Sequence, residues 1–132
     1  MQYDDFVGTV QHRAKLASSG EAVRAIHAVL ETLGERLYGG APENLAAQLP
    51  QEIGTYLTMA EKDETFDVEE FFDRVAAREN VDRPDAVHHI RSVFSVVTEA
   101  VTPAEMIKVL EQLPDEYEPL FDSSSQGNLE MD

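Results

Sequence analysis

The chain contains no cysteine among its 132 residues. This absence excludes a disulfide framework and any zinc site that depends on thiolates. No apolar run approaches the roughly 18 residues that a membrane-spanning helix needs. The first residues also lack the basic-then-apolar order of a secretion signal. We therefore expect a cytoplasmic protein that does not enter the membrane.

Positive charge is also scarce. Ten lysine and arginine residues stand against 26 aspartate and glutamate residues, for a net charge of −16, and the lysines are only Lys15, Lys62 and Lys108. A field of this sign repels phosphate backbones and anionic lipids, so neither nucleic acid nor membrane is an expected partner. Dense carboxylates with little lysine resemble the cytoplasmic proteins of salt-loving archaea. The alternative is an acidic protein from an ordinary microbe.

Apolar residues recur at intervals of three and four, which predicts amphipathic helices. A first helix is predicted over residues 3–16, and a second carries a wide apolar stripe over residues 22–37. Ser18 and Glu21 have the spacing of a capping box before the second helix. The Gly39-Gly40 pair is predicted to end that helix, because glycine readily adopts the left-handed cap conformation.

A short motif, Gln48-Leu49-Pro50-Gln51-Glu52, recurs as Gln112-Leu113-Pro114-Asp115-Glu116. The residue before a proline is pushed out of the helical region, while proline is tolerated in the first turn of a helix. Each copy therefore predicts a helix end, a corner at the Leu-Pro bond and a new short helix. Pro42 and Pro103 are predicted to start further short helices in the same way.

The apolar stripe of residues 22–37 is matched position by position over residues 86–101. This agreement predicts an internal duplication, with repeat 1 at about 3–58 and repeat 2 at about 66–121. Two repeats are too few for a solenoid. We expect an all-α fold in which residues 1–121 form one compact helical bundle from two pseudo-symmetric halves. Residues 59–65 are predicted to connect the halves, and the acidic tail at 122–132 is predicted to be disordered.

Three features resemble the domain of unknown function 2267 family over about residues 2–121. They are the Tyr-Asp-Asp-Phe opening at Tyr3, the Ala-Val-x-x-Ile-x-x-Val-Leu-x-x-Leu helix from Ala22, and the repeated Gln-Leu-Pro-x-Glu motif. The resemblance implies an all-helical, repeated, microbial soluble domain. It implies no catalytic residue.

The histidines are the first candidates for chemistry: His12, His27, His88 and His89. No two of them have the i, i+4 spacing of helical zinc ligands. The nearest approximations join a histidine to a carboxylate, in His27 with Glu31 and in Asp85 with His89. We predict ion pairs on the helix surface for both.

Paired carboxylates are the second candidates: Asp4 with Asp5, Glu69 with Glu70, and Asp115 with Glu116. All three pairs fall at predicted helix starts, where the helix dipole favours solvated acids. The sequence has no phosphate-binding loop and no nucleophile elbow, and Ser123 to Ser125 lie in the tail. We predict no catalytic, cofactor-binding or metal-binding residue, and no cofactor.

The leading functional hypothesis is a non-enzymatic interaction or structural module adapted to high salt. Phe71, Phe72 and Val96 widen the apolar arc of the second half, and they belong either to the core or to a surface. A surface in the Phe72/Val96 region would serve self-association or a protein partner. The alternatives are a small-ligand binder or enzyme that uses a cleft between the halves, with His27, His88 or His89 as acid–base group, and a nucleic-acid mimic.

Overall fold

The computed structural model describes residues 1–60 and 64–121, and every regular element in those ranges is a helix. The elements are α1 (Tyr3–Ala14), α2 (Ser19–Arg36), α3 (Ala41–Ala46), α4 (Gln51–Thr58), α5 (Val68–Glu79), α6 (Arg83–Ala100), α7 (Pro103–Glu111), a 3₁₀ turn (Asp115–Tyr117) and α8 (Glu118–Phe121). The all-α prediction is confirmed. The tail prediction, and part of the connector prediction, lie outside the described residues.

Side-chain caps begin the helices where the sequence predicts them. The backbone N–H of Glu21 donates to Ser18 Oγ (3.2 Å), and the Glu21 carboxylate accepts from the backbone N–H of Ala17 (3.2 Å). This is a capping box whose return bond reaches one residue further back than the usual form. The same N-cap bond starts α5, α6 and α7 from Asp67, Asp82 and Thr102.

The ends of the longer helices follow two different rules. Helices α1 and α5 end at Lys15 (φ 57°) and Asn80 (φ 62°) in the left-handed conformation. Helix α2 ends at Arg36, so the prediction of a stop at Gly39-Gly40 is wrong. Leu37 adopts an extended backbone and is fully buried. Burial of that side chain thus ends the helix before the glycines are reached.

The packing is reciprocal. The long helices α2 and α6 contact each other, and both contact α1 and α5. Helix α4 packs on α2 as α8 packs on α6, while α3 contacts α7. Two matched halves packed about a twofold axis would pair their helices in this way. The duplication itself stays a prediction.

The repeated motif has a role that the sequence analysis missed. Gln112 Oε1 accepts from the backbone N–H of Tyr38 (2.9 Å), and Gln112 Nε2 donates to the Tyr38 carbonyl (3.2 Å). Gln48 Oε1 accepts from the backbone N–H of Thr102 (2.8 Å). Each glutamine therefore bonds to the backbone of the other half. The bonded residue lies just after the long helix of that other half ends. The leucine that follows each glutamine is buried, as predicted.

The apolar residues that widen the second half are mostly core. Phe71 and Val96 are fully buried, and Phe71 packs edge-on against Phe94 with ring centroids 5.9 Å apart. Phe72 is half-buried, and the Arg83 guanidinium lies 5.6 Å from its ring centroid. Within the predicted Phe72/Val96 surface, Val96 is buried and Phe72 is partly exposed to solvent.

Helix α2 lies against the backbone of α4 at Gly34. A Cβ atom placed there would lie 2.1 Å from the Leu57 carbonyl oxygen, which is backbone and cannot rotate away. We expect Gly34→Ala to lower the free energy of unfolding by about 1–3 kcal/mol or more, because the helices must separate. Gly8→Ala is the matched control, since a Cβ there meets nothing within 4 Å. Gly8→Ala should stabilise the protein by about 0.5–1 kcal/mol through helix propensity.

Urea unfolding followed by circular dichroism measures both changes. A Gly34→Ala protein as stable as the unsubstituted chain would contradict the packing described for α2 and α4.

Candidate functional site

A cavity of about 430 Å³ lies where α1 and α5 end and α2 and α6 begin. Both halves of the chain contribute to its wall. The lining residues are Ala14, Lys15, Leu16, Glu21, Arg24, Glu79, Asn80, Val81, Asp85, His88 and His89. More than half of these side chains are polar or charged.

The deepest polar groups of this wall are Glu79, the last residue of α5, and His89 on α6. Their exposed fractions are 4% and 6%, and Nδ1 of His89 lies 2.5 Å from Oε2 of Glu79. The contact is a close ion pair without the alignment of a regular hydrogen bond. The second carboxylate oxygen, Oε1 of Glu79, is buried and has no hydrogen-bond partner.

Both residues occupy positions that a helix normally gives to its apolar face. Glu79 follows the buried Val75 by one turn, and His89 stands beside the buried Ala86 and Ile90. The corresponding wall positions in the first half are Ala14 and Ala25, at the same places in α1 and α2. The second half therefore carries a histidine–glutamate pair where the first half carries two small apolar side chains.

The pair is electrostatically coupled. The contact with Glu79 raises the pKa of His89 above its ordinary value of 6.5, although burial opposes the shift, and the carboxylates of Asp85 and Glu21 add to the rise. Protonated His89 forms its ion pair through Nδ1. Its Nε2 has no partner among residues 1–60 and 64–121. Nε2 of His89, a lining residue of the cavity, is thus left for a bound molecule or water.

Two cations, Lys15 and Arg24, stand at the cavity rim and are exposed. Neither forms an ion pair with any carboxylate that the structure describes. The same holds for Arg36, Arg91 and Lys108, so this property is not particular to the cavity.

The chemistry available at the cavity is therefore hydrogen bonding, ion pairing and proton exchange. Among residues 1–60 and 64–121, no serine, threonine or tyrosine hydroxyl lines it to serve as a nucleophile. Among the described residues, no group of three histidine, aspartate or glutamate side chains has an arrangement that could hold a metal ion. These features favour the binding of a polar molecule.

The predicted histidine pairs have different outcomes. His27 Nε2 lies 3.2 Å from Glu31 Oε1, so that surface ion pair is confirmed, and the His27 ring also stacks on Tyr56 with centroids 4.4 Å apart. For His89 the predicted partner, Asp85, is wrong. His89 on α6 instead contacts Glu79 on α5. Asp85 lies at the rim of the same cavity.

The remaining predicted residues lie outside the buried pair. His88 is exposed at the rim, and His12 lies in the last turn of α1 and away from the cavity. The carboxylate pairs begin α1, α5 and the 3₁₀ turn, as predicted. Glu79 was missed by the sequence analysis. Aligning the sequences of the two halves could have identified it, because Glu79 then aligns with Ala14, an alanine on the apolar face of α1.

Comparison with protein families matches residues 3–120 to the model DUF2267, described as an uncharacterised conserved protein. The match takes in the cavity and nearly all of the helical bundle, as the resemblance in the sequence implies. The comparison with curated proteins gave no match. No helix in the described part of the chain is long and apolar enough to span a membrane.

The coupled pair predicts a pH dependence. A histidine whose pKa is raised by folding contributes stability that is fully present below its unfolded pKa of about 6.5 and is lost as the pH rises through the folded value. We expect the Glu79→Gln protein to titrate His89 at lower pH than the unsubstituted protein. The stability difference between the two proteins should shrink as the pH rises above about 6.5.

Ring signals in NMR titrations, with thermal melts at each pH, measure both effects. The His12 signals are the control, because this exposed side chain does not touch Glu79. Identical His89 titrations in the two proteins would contradict the coupling.

Proposed function

Because the chain belongs to the family of uncharacterised conserved proteins DUF2267, we propose its function from its own cavity. The protein binds a small polar molecule between the halves, with Glu79 and His89 at the floor of the site. The observation that carries this proposal is the buried Glu79–His89 pair in the cavity wall, in which Nε2 of His89 has no partner among the described residues. The proposal takes up the cleft alternative of the sequence analysis.

Energetics support the assignment. A buried acceptor without a partner costs about 1–3 kcal/mol, and more when it is charged. Buried ion pairs are often no more stabilising than apolar residues of similar volume. Ala14 and Ala25 provide such an apolar solution in the first half and are buried. A pair that is costly for folding is explained if it serves the binding of a ligand.

The interaction-module hypothesis has less support. Its predicted surface depends on Phe72 and Val96, and Val96 is fully buried. Phe72 alone offers little apolar area, and Arg83 covers part of its ring. The proposal keeps the non-enzymatic character of that hypothesis.

The proposal also includes adaptation to a salty cytoplasm. A net charge of −16 with three lysines supports it. Many exposed acids crowd the surface, and like charges repel within the Debye length, which is about 30 Å at 0.01 M salt and about 3 Å at 1 M. High salt therefore relieves a repulsion that the compact state suffers more than the expanded chain.

Ligand binding is tested with a thermal-shift screen of small polar molecules. The site variant is Glu79→Ala/His89→Ala, which copies the alanines of the first half and leaves no buried charge unpaired. We expect a true ligand to raise the melting temperature of the unsubstituted protein. A ligand present at 100 times its Kd stabilises by about 2.7 kcal/mol. The site variant should lose this shift.

The control variant is His27→Ala, which removes a histidine outside the cavity and should keep the shift. Equal shifts in the unsubstituted protein and the site variant would overturn the proposal. So would a screen in which no polar molecule shifts the unsubstituted protein.

The salt prediction follows from the charge alone. We expect the melting temperature to rise steeply from tens of millimolar sodium chloride and to level off by a few tenths molar, where screening is nearly complete. Circular-dichroism melts across the salt series measure it. A sodium sulfate series is the comparison, because sulfate also strengthens apolar burial. A melting temperature that does not change with sodium chloride would contradict the salt adaptation.

A further inference from the structure

The histidine of the buried pair has one ring nitrogen without a protein partner. His89 is 6% exposed and lines the cavity. Its Nδ1 is fully buried and lies 2.5 Å from Oε2 of Glu79. Nε2, on the other side of the ring, has no partner among residues 1–60 and 64–121, and it is not closed off from solvent as Nδ1 is. The polar contact that this side chain leaves open is therefore at Nε2.

We propose that the ligand of this cavity is a small neutral molecule whose acceptor oxygen takes a hydrogen bond from Nε2 of His89, and that it binds only while both ring nitrogens of His89 carry a proton. The inference rests on the proposed binding function. It specifies the chemical class of the ligand and makes the affinity depend on pH.

The contact with Glu79 decides what Nε2 can do. Lone pairs on Nδ1 and on a carboxylate oxygen would repel at 2.5 Å, so Nδ1 carries a proton whether His89 is charged or neutral. In the neutral ring Nε2 then has only a lone pair, whereas in the protonated ring it has an N–H. The same atom therefore binds an acceptor at low pH and a donor at high pH.

The surrounding charges favour the protonated ring. The contact with Glu79 raises the pKa of His89, burial opposes the rise, and the carboxylates of Asp85 and Glu21 add to it. The other cavity-lining groups that titrate or carry charge are Lys15, Arg24 and His88, at the end of α1, on α2 and on α6. Nε2 of His89 therefore donates up to a higher pH than an isolated histidine would.

The charges of the cavity wall balance when His89 is protonated. Three cationic side chains then face three carboxylates: Lys15, Arg24 and His89, against Glu21, Glu79 and Asp85. Such a wall favours neither an anion nor a cation, because the two signs largely cancel. A protonated Nε2 also has no lone pair for a metal ion, and the described residues contain no group of three ligands. A neutral molecule with an acceptor oxygen fits this wall best.

The test uses neutral probes that do not themselves titrate between about pH 5 and pH 8, the range of an ordinary histidine. Pyridine N-oxide and N,N-dimethylacetamide carry an acceptor oxygen and no donor, whereas pyrrole carries a donor N–H and no acceptor oxygen. Backbone amide NMR titrations give the Kd of each probe and show whether the shifts centre on the cavity.

We expect at least one acceptor probe to bind at the cavity at low pH. Its affinity should fall by up to about tenfold per pH unit once the pH exceeds the pKa of His89, because only the protonated ring donates from Nε2. Pyrrole should instead gain affinity over the same range. Linkage is reciprocal, so the bound acceptor probe should raise the pKa of His89 in ring titrations and pyrrole should lower it.

Variants then test the origin of the pH dependence. Glu79→Gln keeps the size of the side chain and removes the charge that favours protonated His89, so the loss of affinity should move to lower pH. Glu79→Gln/His89→Gln leaves no titrating group and no buried charge in the pair, so its affinity for the acceptor probe should not change with pH. The matched control is His88→Gln, which removes the other histidine of the wall and should keep the original pH profile.

The outcomes distinguish the ligand class from the binding function. The inference is overturned if the affinity for the acceptor probes does not change with pH, or if pyrrole loses affinity together with them. It is also overturned if neither acceptor probe binds at the cavity, because water alone then serves Nε2. In these cases the binding function stands if the thermal-shift screen finds a polar ligand whose effect is lost in Glu79→Ala/His89→Ala. If that screen finds no ligand, the proposed function fails as well.

Discussion

The contact between α2 and α6 is the constraint on which the rest of the fold depends. Both helices are 18 residues long, and both bury far more than the narrow stripe of a surface helix. Ala22, Ile26 and Leu33 are fully buried on α2, as are Ala86, Ile90 and Val97 on α6. Helices that are apolar over so wide an arc must be covered on several sides. The shorter helices α1, α4, α5 and α8 provide that cover.

The cavity forms where two of the covering helices, α1 and α5, end. Helices α1 and α5 finish in left-handed caps at Lys15 and Asn80, and the chain then turns back to begin α2 and α6. A concave surface between two halves is a common place for a ligand site. The central packing thus leaves a site without the need for a separate loop.

Local features could be predicted from the sequence, whereas contacts across the bundle could not. The cap at Ser18 and the helix start at Pro103 depend on residues close in sequence, and the structure confirms them. The predicted end of α2 at Gly39-Gly40 was too late. The burial of Leu37 is a tertiary effect that competes with the preference of glycine for the end of a helix. His89 illustrates the same limit. Its local partner by spacing is Asp85, but the fold brings Glu79 closer.

The same limit explains why the candidate site was not predicted. Helical spacing can bring a histidine and a carboxylate onto one face, but it cannot bring the end of α5 against α6. The matched halves supply the missing information, because Ala14 and Ala25 are what those wall positions hold when only packing matters. Where one half departs from such a packing solution, and leaves a buried carboxylate oxygen unsatisfied, stability alone does not account for the departure. The departure falls at the wall of the cavity, to which both halves contribute.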